Sequence, residues 1–311
     1  NRMNKKVVVI GDIFADMTTH IMAYPHCGDG TYGTPMHRNG GGTGGNIAAG
    51  LGVLGVDTSI ICRLGDDEVG HYLKDDMRNY NVHNEGIPLD PEHASGLVLI
   101  AVTPDGERTI WVLANGSAYE KLKPEDVAYL DKVQPDAIFV SGVMMGVHPA
   151  EESIFAELPK WKGRAKIYFD PNLRYPPEAI PPAVKTSLQR LCALSDVVLT
   201  GQGEMDALEL RPLPGQTFIV KRGKEGSLLL DVQQHEVFRI APTEHVASDA
   251  TGAGDTYAAA YVCAELEGHT VEEAMRFATV AAGISVTRSG ARSMPKREEI
   301  DAYLSKERTA T

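Results

Sequence analysis

Short, mostly apolar runs recur along the chain at 7–10, 59–62, 137–140, 166–169, 196–199 and 217–220. Val7-Val8-Val9-Ile10 is the type. No polar residue alternates with its apolar ones, so the strand it predicts must be covered on both faces. Between most of these runs lie helical patterns, at 46–54, 69–80, 149–158, 184–193 and 204–210. Strands alternating with helices specify βαβ units. The expected fold is a three-layer α/β sandwich with a mainly parallel central sheet.

Two stretches break the alternation. Residues 96–103 and 108–114 flank Pro104-Asp105-Gly106, turn chemistry that predicts a hairpin. Residues 16–24 and 32–38 predict a second strand pair. Both lie where the βαβ series would place a helix, so they predict a small β-sheet beside the main one, a natural lid. The expected division is a main domain of residues 1–11, 40–95 and 115–311, and a β-lid of 12–39 and 96–114. The last third turns helical, at 253–266, 271–286 and 296–305. No internal repeat or flexible linker interrupts the order.

Of the 311 residues 43% are hydrophobic and 23% charged, which suits a soluble globular protein with a large core. The net charge of −12 excludes nucleic acid as the main partner, because neutralising phosphates takes a basic face. A nucleotide stays open, since backbone amides, a metal ion and one or two cations can hold it. Cys27, Cys62, Cys192 and Cys263 show no CxxC spacing and read as free thiols in a reducing compartment. No apolar run reaches the roughly 18 residues of a membrane span. Residues 1–6 carry no apolar signal region, and Asn1-Arg2 ahead of Met3 read as a cloning remnant. These features point to the cytoplasm. The ten histidines have no metal-ligand spacing and read as structural or surface residues.

The richest chemistry lies in Ser248-Asp249-Ala250-Thr251-Gly252-Ala253-Gly254-Asp255-Thr256-Tyr257. Glycines ahead of a helix expose its unpaired amides at the positive end of its dipole, which makes an anion site. A carboxylate is a poor ligand for phosphate, but Asp255 there suits removal of a proton from an incoming hydroxyl. The run therefore points to phosphoryl transfer to an alcohol. Near the start, Gly40-x-Gly42-x-x-Gly45 matches the dinucleotide fingerprint literally. It lacks the buried strand before it and the acidic residue after it, so nicotinamide and flavin are rejected. The remaining readings are a glycine hinge feeding a helix, or backbone approach to a small polar ligand with Asn46 bonded to it. No P-loop motif occurs.

Together these pieces resemble the ribokinase-like family of sugar kinases, the PfkB carbohydrate kinases, over essentially the whole chain. The residues that carry the resemblance are Gly11-Asp12 with Asp16, then Gly41-Gly42-Thr43-Gly44-Gly45-Asn46, similar to the family's GGxxxN signature. Gly65-Asp66-Asp67-Glu68-Val69-Gly70 and Asp170-Pro171-Asn172-Leu173-Arg174 follow. Asp249–Asp255 is similar to the DTxGAGD signature with Ala250 in place of threonine, and Val286–Ala291 resembles the nucleotide and cation segment.

The resemblance implies an ATP-dependent kinase that transfers the γ-phosphoryl group to a primary hydroxyl of a small sugar of the ribose, fructose or 2-keto-3-deoxygluconate type. It implies Asp255 as general base, Gly252, Ala253 and Gly254 as anion hole, and Asp12, Asp16, Gly41, Gly42 and Asn46 as sugar ligands. For ATP it implies Arg174, Glu204, Lys221, Gly223, Gly226 and Thr279. It implies Glu204 holding Mg2+ through water, and K+ held by Asp249, Thr251, Ser285, Arg288, Gly290 and Ser293, largely through main-chain oxygens.

Two departures stand out. Gly201 occupies the asparagine position of the family's NxxE motif, with Gln202 or Arg174 available to substitute, and 140–144 lacks the glutamate that ribokinase proper places near its sugar. Ribose is therefore not favoured over a ketohexose. Two rivals are weighed: a nucleoside kinase, for which Tyr24, Tyr32 and Trp111 would supply base stacking, and a non-catalytic sugar or nucleotide sensor. Simpler readings stand beside the functional ones. Asp12 could cap the end of a strand. Asp66-Asp67-Glu68 is favoured as the acidic start of a helix. Trp111 could stack on a sugar or pack in a homodimer formed through the lid.

Overall fold

The computed structural model describes residues 4–310; residues 1–3, which include Asn1-Arg2, and residue 311 lie outside the described residues. Within that span the strands are β1 (Lys6–Ile10), β2 (Phe14–His20), β3 (His37–Gly41), β4 (Asp57–Ile61), β5 (Leu64–Gly65), β6 (Val82–His83), β7 (Leu89–Asp90) and β8 (Leu97–Val102). There follow β9 (Arg108–Leu113), β10 (Ala137–Ser141), β11 (Lys166–Asp170), β12 (Val197–Gly201), β13 (Thr217–Lys221), β14 (Ser227–Leu230) and β15 (Glu236–Ile240). The helices are α1 (Thr43–Val53), α2 (Glu68–Asn79), α3 (Pro124–Val127), α4 (Tyr129–Val133), α5 (Ala150–Glu157), α6 (Pro182–Leu194), α7 (Gln202–Leu208), α8 (Ala253–Leu266), α9 (Val271–Ser285) and α10 (Arg297–Ala310).

The six apolar runs all lie in a nine-stranded sheet of order β15-β14-β13-β12-β11-β10-β1-β4-β6. The unbroken hydrophobicity of β1 has the expected cause. Val7 and Val9 enter one core with residues of α1, α8 and α9, while Val8 and Ile10 enter a second core with residues of α5 and α6. Helices thus cover both faces. β14 and β15, which the patterns above did not predict, extend the sheet as antiparallel strands beyond β13.

A second sheet has the order β3-β2-β8-β9. Its hairpin β8–β9 is where the sequence placed it, with Gly106 at φ 85° in the turn. The other predicted pair is displaced. β2 stops at His20, before the Pro25 and glycine-containing loop, and β3 runs on to Gly41, three residues beyond 38. Asn39, Gly40 and Gly41 form strand because their backbones pair with β2. β2 also pairs in parallel with β8, which joins the two hairpin halves into one sheet.

From β1 the chain moves to β4 on one side and later returns to β10 on the other, so order reverses between β1 and β10. Ligands of open α/β sheets bind beyond the carboxyl ends of strands at such a switch point. α1 starts there on Gly42, at φ 84°, where a Cβ would lie 2.7 Å from the Asp12 carbonyl oxygen. Side chains avoid that conformation, so glycine fits. Asp67 caps α2, accepting the Gly70 N–H at 2.7 Å, which bears out the acidic-start reading. Among the described residues no helix is long and apolar enough to cross a membrane. All four cysteines are free, and Cys62, Cys192 and Cys263 are buried.

Candidate active site

A cleft of about 720 Å³ opens at the switch point, between the carboxyl ends of the parallel strands and the second sheet. It gathers residues from distant parts of the chain: Asp12 from the end of β1, Asp16 from β2, Gly42 and Asn46 from the start of α1, Arg174, and the loop Ala250–Gly254 with Asp255. Gly41 stands beside Asp16, whose carboxylate occupies the space a Cβ would take, 2.5 Å away. Ile110 and Val112 of β9 face the cleft. Trp111, one residue out of phase, points to the other face of that strand and lies 6.5 Å from the Tyr24 ring. Tyr24, Tyr32 and Trp111 all lie outside the cleft lining, so they offer no stacking surface there.

Asp255 sits in the first turn of α8. Gly252 precedes it at φ 76°, where a Cβ would overlap the Ala291 carbonyl. The amides of the first turn of a helix have no intrahelical acceptors; Gly252, Ala253 and Gly254 line the cleft there, and the Ala253 N–H donates to the Ala250 carbonyl at 3.2 Å. Burial pushes the Asp255 carboxyl up to about 7. Asp170 adds to that rise, while the Asn46 hydrogen bond, Lys221 and Arg174 oppose it. Asn46 Nδ2 donates to Asp255 Oδ2 at 3.0 Å.

Beneath the cleft lies a buried ionic group that the sequence reading did not assemble. Asp170, the last residue of β11, is paired with Lys221, the last residue of β13. Burial lifts Asp170 to about 6. For Lys221 burial works in the opposite sense, but Asp170, Glu204 and Asp255 keep its ammonium charged and raise it above its ordinary value. Glu204 is fixed by two backbone donors, Leu173 N–H at 2.7 Å and Gly201 N–H at 2.9 Å. The backbone of Gly201 therefore holds Glu204 although the expected asparagine amide is missing. Gln202, one suggested substitute, turns its amide to Asp206 (3.1 Å); Arg174, the other, faces the cleft. The apolar runs at 166–169 and 217–220 stop one residue short of Asp170 and Lys221, and no spacing pairs them.

Asp12 links two elements at the cleft. Its Oδ1 accepts from Thr43 Oγ1 (2.6 Å) and the Gly44 N–H (3.1 Å), which ties β1 to α1, and it also lines the cleft. Gly223, Gly226 and Thr279 lie outside the lining; Thr279 Oγ1 donates to the Met275 carbonyl of its own helix at 2.8 Å.

The residues suggested for a monovalent cation lie on the loop before α8 and on the end of α9 with the segment after it. Asp249 bridges them, accepting the Thr251 and Gly290 N–H groups, both at 2.9 Å. Burial raises its carboxyl, but these hydrogen bonds prevail and hold it below the usual range. Ser293 Oγ donates to the Ser285 carbonyl at 3.3 Å. The Arg288 guanidinium turns away to pair with Glu299, so only its main chain is available there.

The profile of the pfkB family carbohydrate kinases matches residues 4–297. A 5-dehydro-2-deoxygluconokinase from Halalkalibacterium halodurans is 27% identical over 290 residues, covering 87% of each chain. The fold is that of ribokinase: the ribokinase from Thermotoga maritima superposes with a TM-score of 0.76 at 23% identity, covering 96% of this chain and 99% of that one. An E. coli protein solved with ATP and Mg2+ gives 0.82 at 22% identity, covering 97% and 99%. A match along nearly the whole chain, on a cleft built at the switch point of the expected sheet, settles the family: this protein is a member of the pfkB family of carbohydrate kinases.

Proposed function

We propose that the protein transfers the γ-phosphoryl group of ATP to a primary hydroxyl of a small sugar or sugar acid, with Asp255 as general base. The observation that carries this reading is the buried Asp255 carboxyl, lifted to about 7, in the first turn of α8 beside Gly252, Ala253 and Gly254 on the cleft wall. The substrate hydroxyl gives its proton to Asp255 as its oxygen forms the new bond to phosphorus, and the bond between γ-phosphorus and ADP breaks. The amides of Gly252, Ala253 and Gly254 oppose the charge on the equatorial oxygens. Asp12, Asp16, Gly41, Gly42 and Asn46 hold the sugar hydroxyls, since carboxylates accept and amides donate. Arg174, Lys221, Gly223, Gly226 and Thr279 serve the nucleotide.

Carboxylate oxygens such as those of Glu204 suit a hard cation. Glu204 would hold Mg2+ through water, and the ion would supply charge neutralisation at the phosphates. Asp249, Thr251, Ser285, Arg288, Gly290 and Ser293 would hold K+ through oxygens of the loop before α8 and of the end of α9 with the segment after it. The second sheet is the lid that keeps water from the reacting phosphate.

The name of the H. halodurans relative favours an acidic deoxy-keto sugar or a ketose over ribose. An ADP-release assay across ribose, fructose, tagatose, 2-keto-3-deoxygluconate, 5-dehydro-2-deoxygluconate, inositol and nucleosides tests this, run with and without K+. Turnover is expected on a keto sugar and greater with K+. Preference for a nucleoside would replace the substrate assignment, and no turnover on any compound would favour the sensor.

The lid also carries a reading of assembly. β9 is an edge strand with Ile110, Trp111, Val112 and Leu113 all more than 40% exposed. An apolar edge of this kind is a template for pairing with another strand, and we take its partner to be β9 of a second copy. Sedimentation is expected to give a dimer that Trp111→Glu converts to monomer; a wild-type monomer would refute it.

A further inference from the structure

The glycines around the start of α1 make room for a protein side chain. A Cβ at Gly45 would stand 2.6 Å from the Arg292 guanidinium, and one at Gly40 would overlap it. Gly41 offers its carbonyl to Arg292 Nη2 at 3.2 Å. Arg292 has only 4% of its side chain exposed, pairs with Asp76 of α2 at 2.9 Å, and lies over the Tyr80 ring. Part of the glycine-rich signature is thus a cradle for an arginine far away in sequence.

The arginine reaches the reacting carboxylate in one step. Arg292 Nε donates to Asn46 Oδ1 at 3.4 Å. A guanidinium has donors only, so Asn46 must present its oxygen to Arg292 and its NH2 group to the other side. That NH2 group is the one that donates to Asp255 Oδ2. A flipped amide would set its oxygen against the carboxylate. On its other flank Arg292 follows Ala291, whose carbonyl fills the space beside Gly252. One buried side chain therefore ties α1, α2, the end of β3 and the segment abutting the anion hole.

We propose that Arg292 is a positioning residue for phosphoryl transfer, holding Asn46 in the orientation that fixes Asp255. The proposal rests on the reading of Asp255 as base. A carboxylate free to rotate away from the hydroxyl loses turnover more than it loses substrate affinity, and a displacement of about 1 Å is worth about a hundred-fold in rate.

The test is a double-substitution cycle in the full-length protein, with kcat, sugar KM and melting temperature measured for each variant. Arg292→Met is expected to lower kcat by roughly a hundred-fold while sugar KM moves less than about three-fold. Asn46→Ala is expected to lower kcat comparably, and the double variant to fall no further than Asn46→Ala alone, because the arginine acts through the amide. Arg292→Lys keeps a cation for Asp76 without the guanidinium fork, so it should fold where Arg292→Met does not and recover only part of the rate. Multiplied losses in the double variant, or wild-type kcat in folded Arg292→Lys and Arg292→Met, would overturn the positioning role. Asp255→Asn separates the two readings. If it keeps turnover, the base assignment fails and this inference with it. If it is inactive and the cycle multiplies, only the inference fails.

Discussion

Asp255→Asn is expected to lose about a thousand-fold or more in kcat while calorimetry still detects ATP binding, since a positioned general base is worth roughly a hundred- to ten-thousand-fold. The variant keeps the shape of the site, removes the proton acceptor, and leaves an amide that can turn its oxygen to Asn46. Retention of a tenth of wild-type turnover would sink the assignment. The pH dependence sharpens the test. The groups facing Asp255 are Asn46 from α1, Asp170 from β11, Lys221 from β13 and Arg174 from the loop after β11. Burial outweighs them, so the acid limb of kcat/KM should fall near pH 7 rather than near 4. The same lift has a stability consequence. A carboxyl that binds its proton more tightly folded than unfolded stabilises the fold at low pH, and loses that contribution as pH rises from about 4 to about 7. Holding Asp255 ionised above pH 7 costs the fold on the order of 4 kcal/mol. Asp255→Asn should therefore melt higher than wild type at pH 8, by a margin that shrinks on acidification. An inactive enzyme more stable than the active one is the mark of a charge kept for chemistry.

The sheet was legible because each buried parallel strand is an unbroken apolar run, a pattern that burial on both faces imposes and exposed loops do not imitate. β14 escaped because it spans only four residues, and β15 because it is the largely exposed edge strand, where apolar continuity is not required. The shift of β3 into Asn39-Gly40-Gly41 has a similar cause. Glycine in a strand gives no side-chain signal, and pairing with β2 makes the strand. Asp255 with its glycines was legible since a helix start, a tight approach and a carboxylate follow one another in ten residues. Arg292 and the Asp170–Lys221 pair were not, because their partners lie 246, 216 and 51 positions away and only the folded chain brings them together. Asp12 shows the limit from the other side: cap and ligand call for the same carboxylate at the same strand end.

The Asp170–Lys221 pair carries the second large effect. Asp170 has 1% of its side chain exposed and Lys221 15%, so neither partner is adequately solvated without the other. Removing one partner of a buried ion pair costs about 3–5 kcal/mol, because the remaining charge is left uncompensated. Lys221→Met should lower the melting temperature by on the order of 10 °C at pH 8, and by less at pH 5, where Asp170 takes up a proton. Adding Asp170→Asn removes the stranded charge and should restore most of the loss. The rate profile should follow the same logic. Lys221 opposes the lift of Asp255 and Asp170 adds to it. The acid limb of Lys221→Met therefore moves to higher pH, and that of the double variant returns toward pH 7. A pair that only braced the sheet would reproduce the melting temperatures with the acid limb unmoved. Unchanged melting in Lys221→Met would show that the pair carries no weight in the fold. Movement of both readouts together would place Lys221 in two roles, joining the ends of β11 and β13 and keeping the base beside it ready to accept a proton near neutral pH.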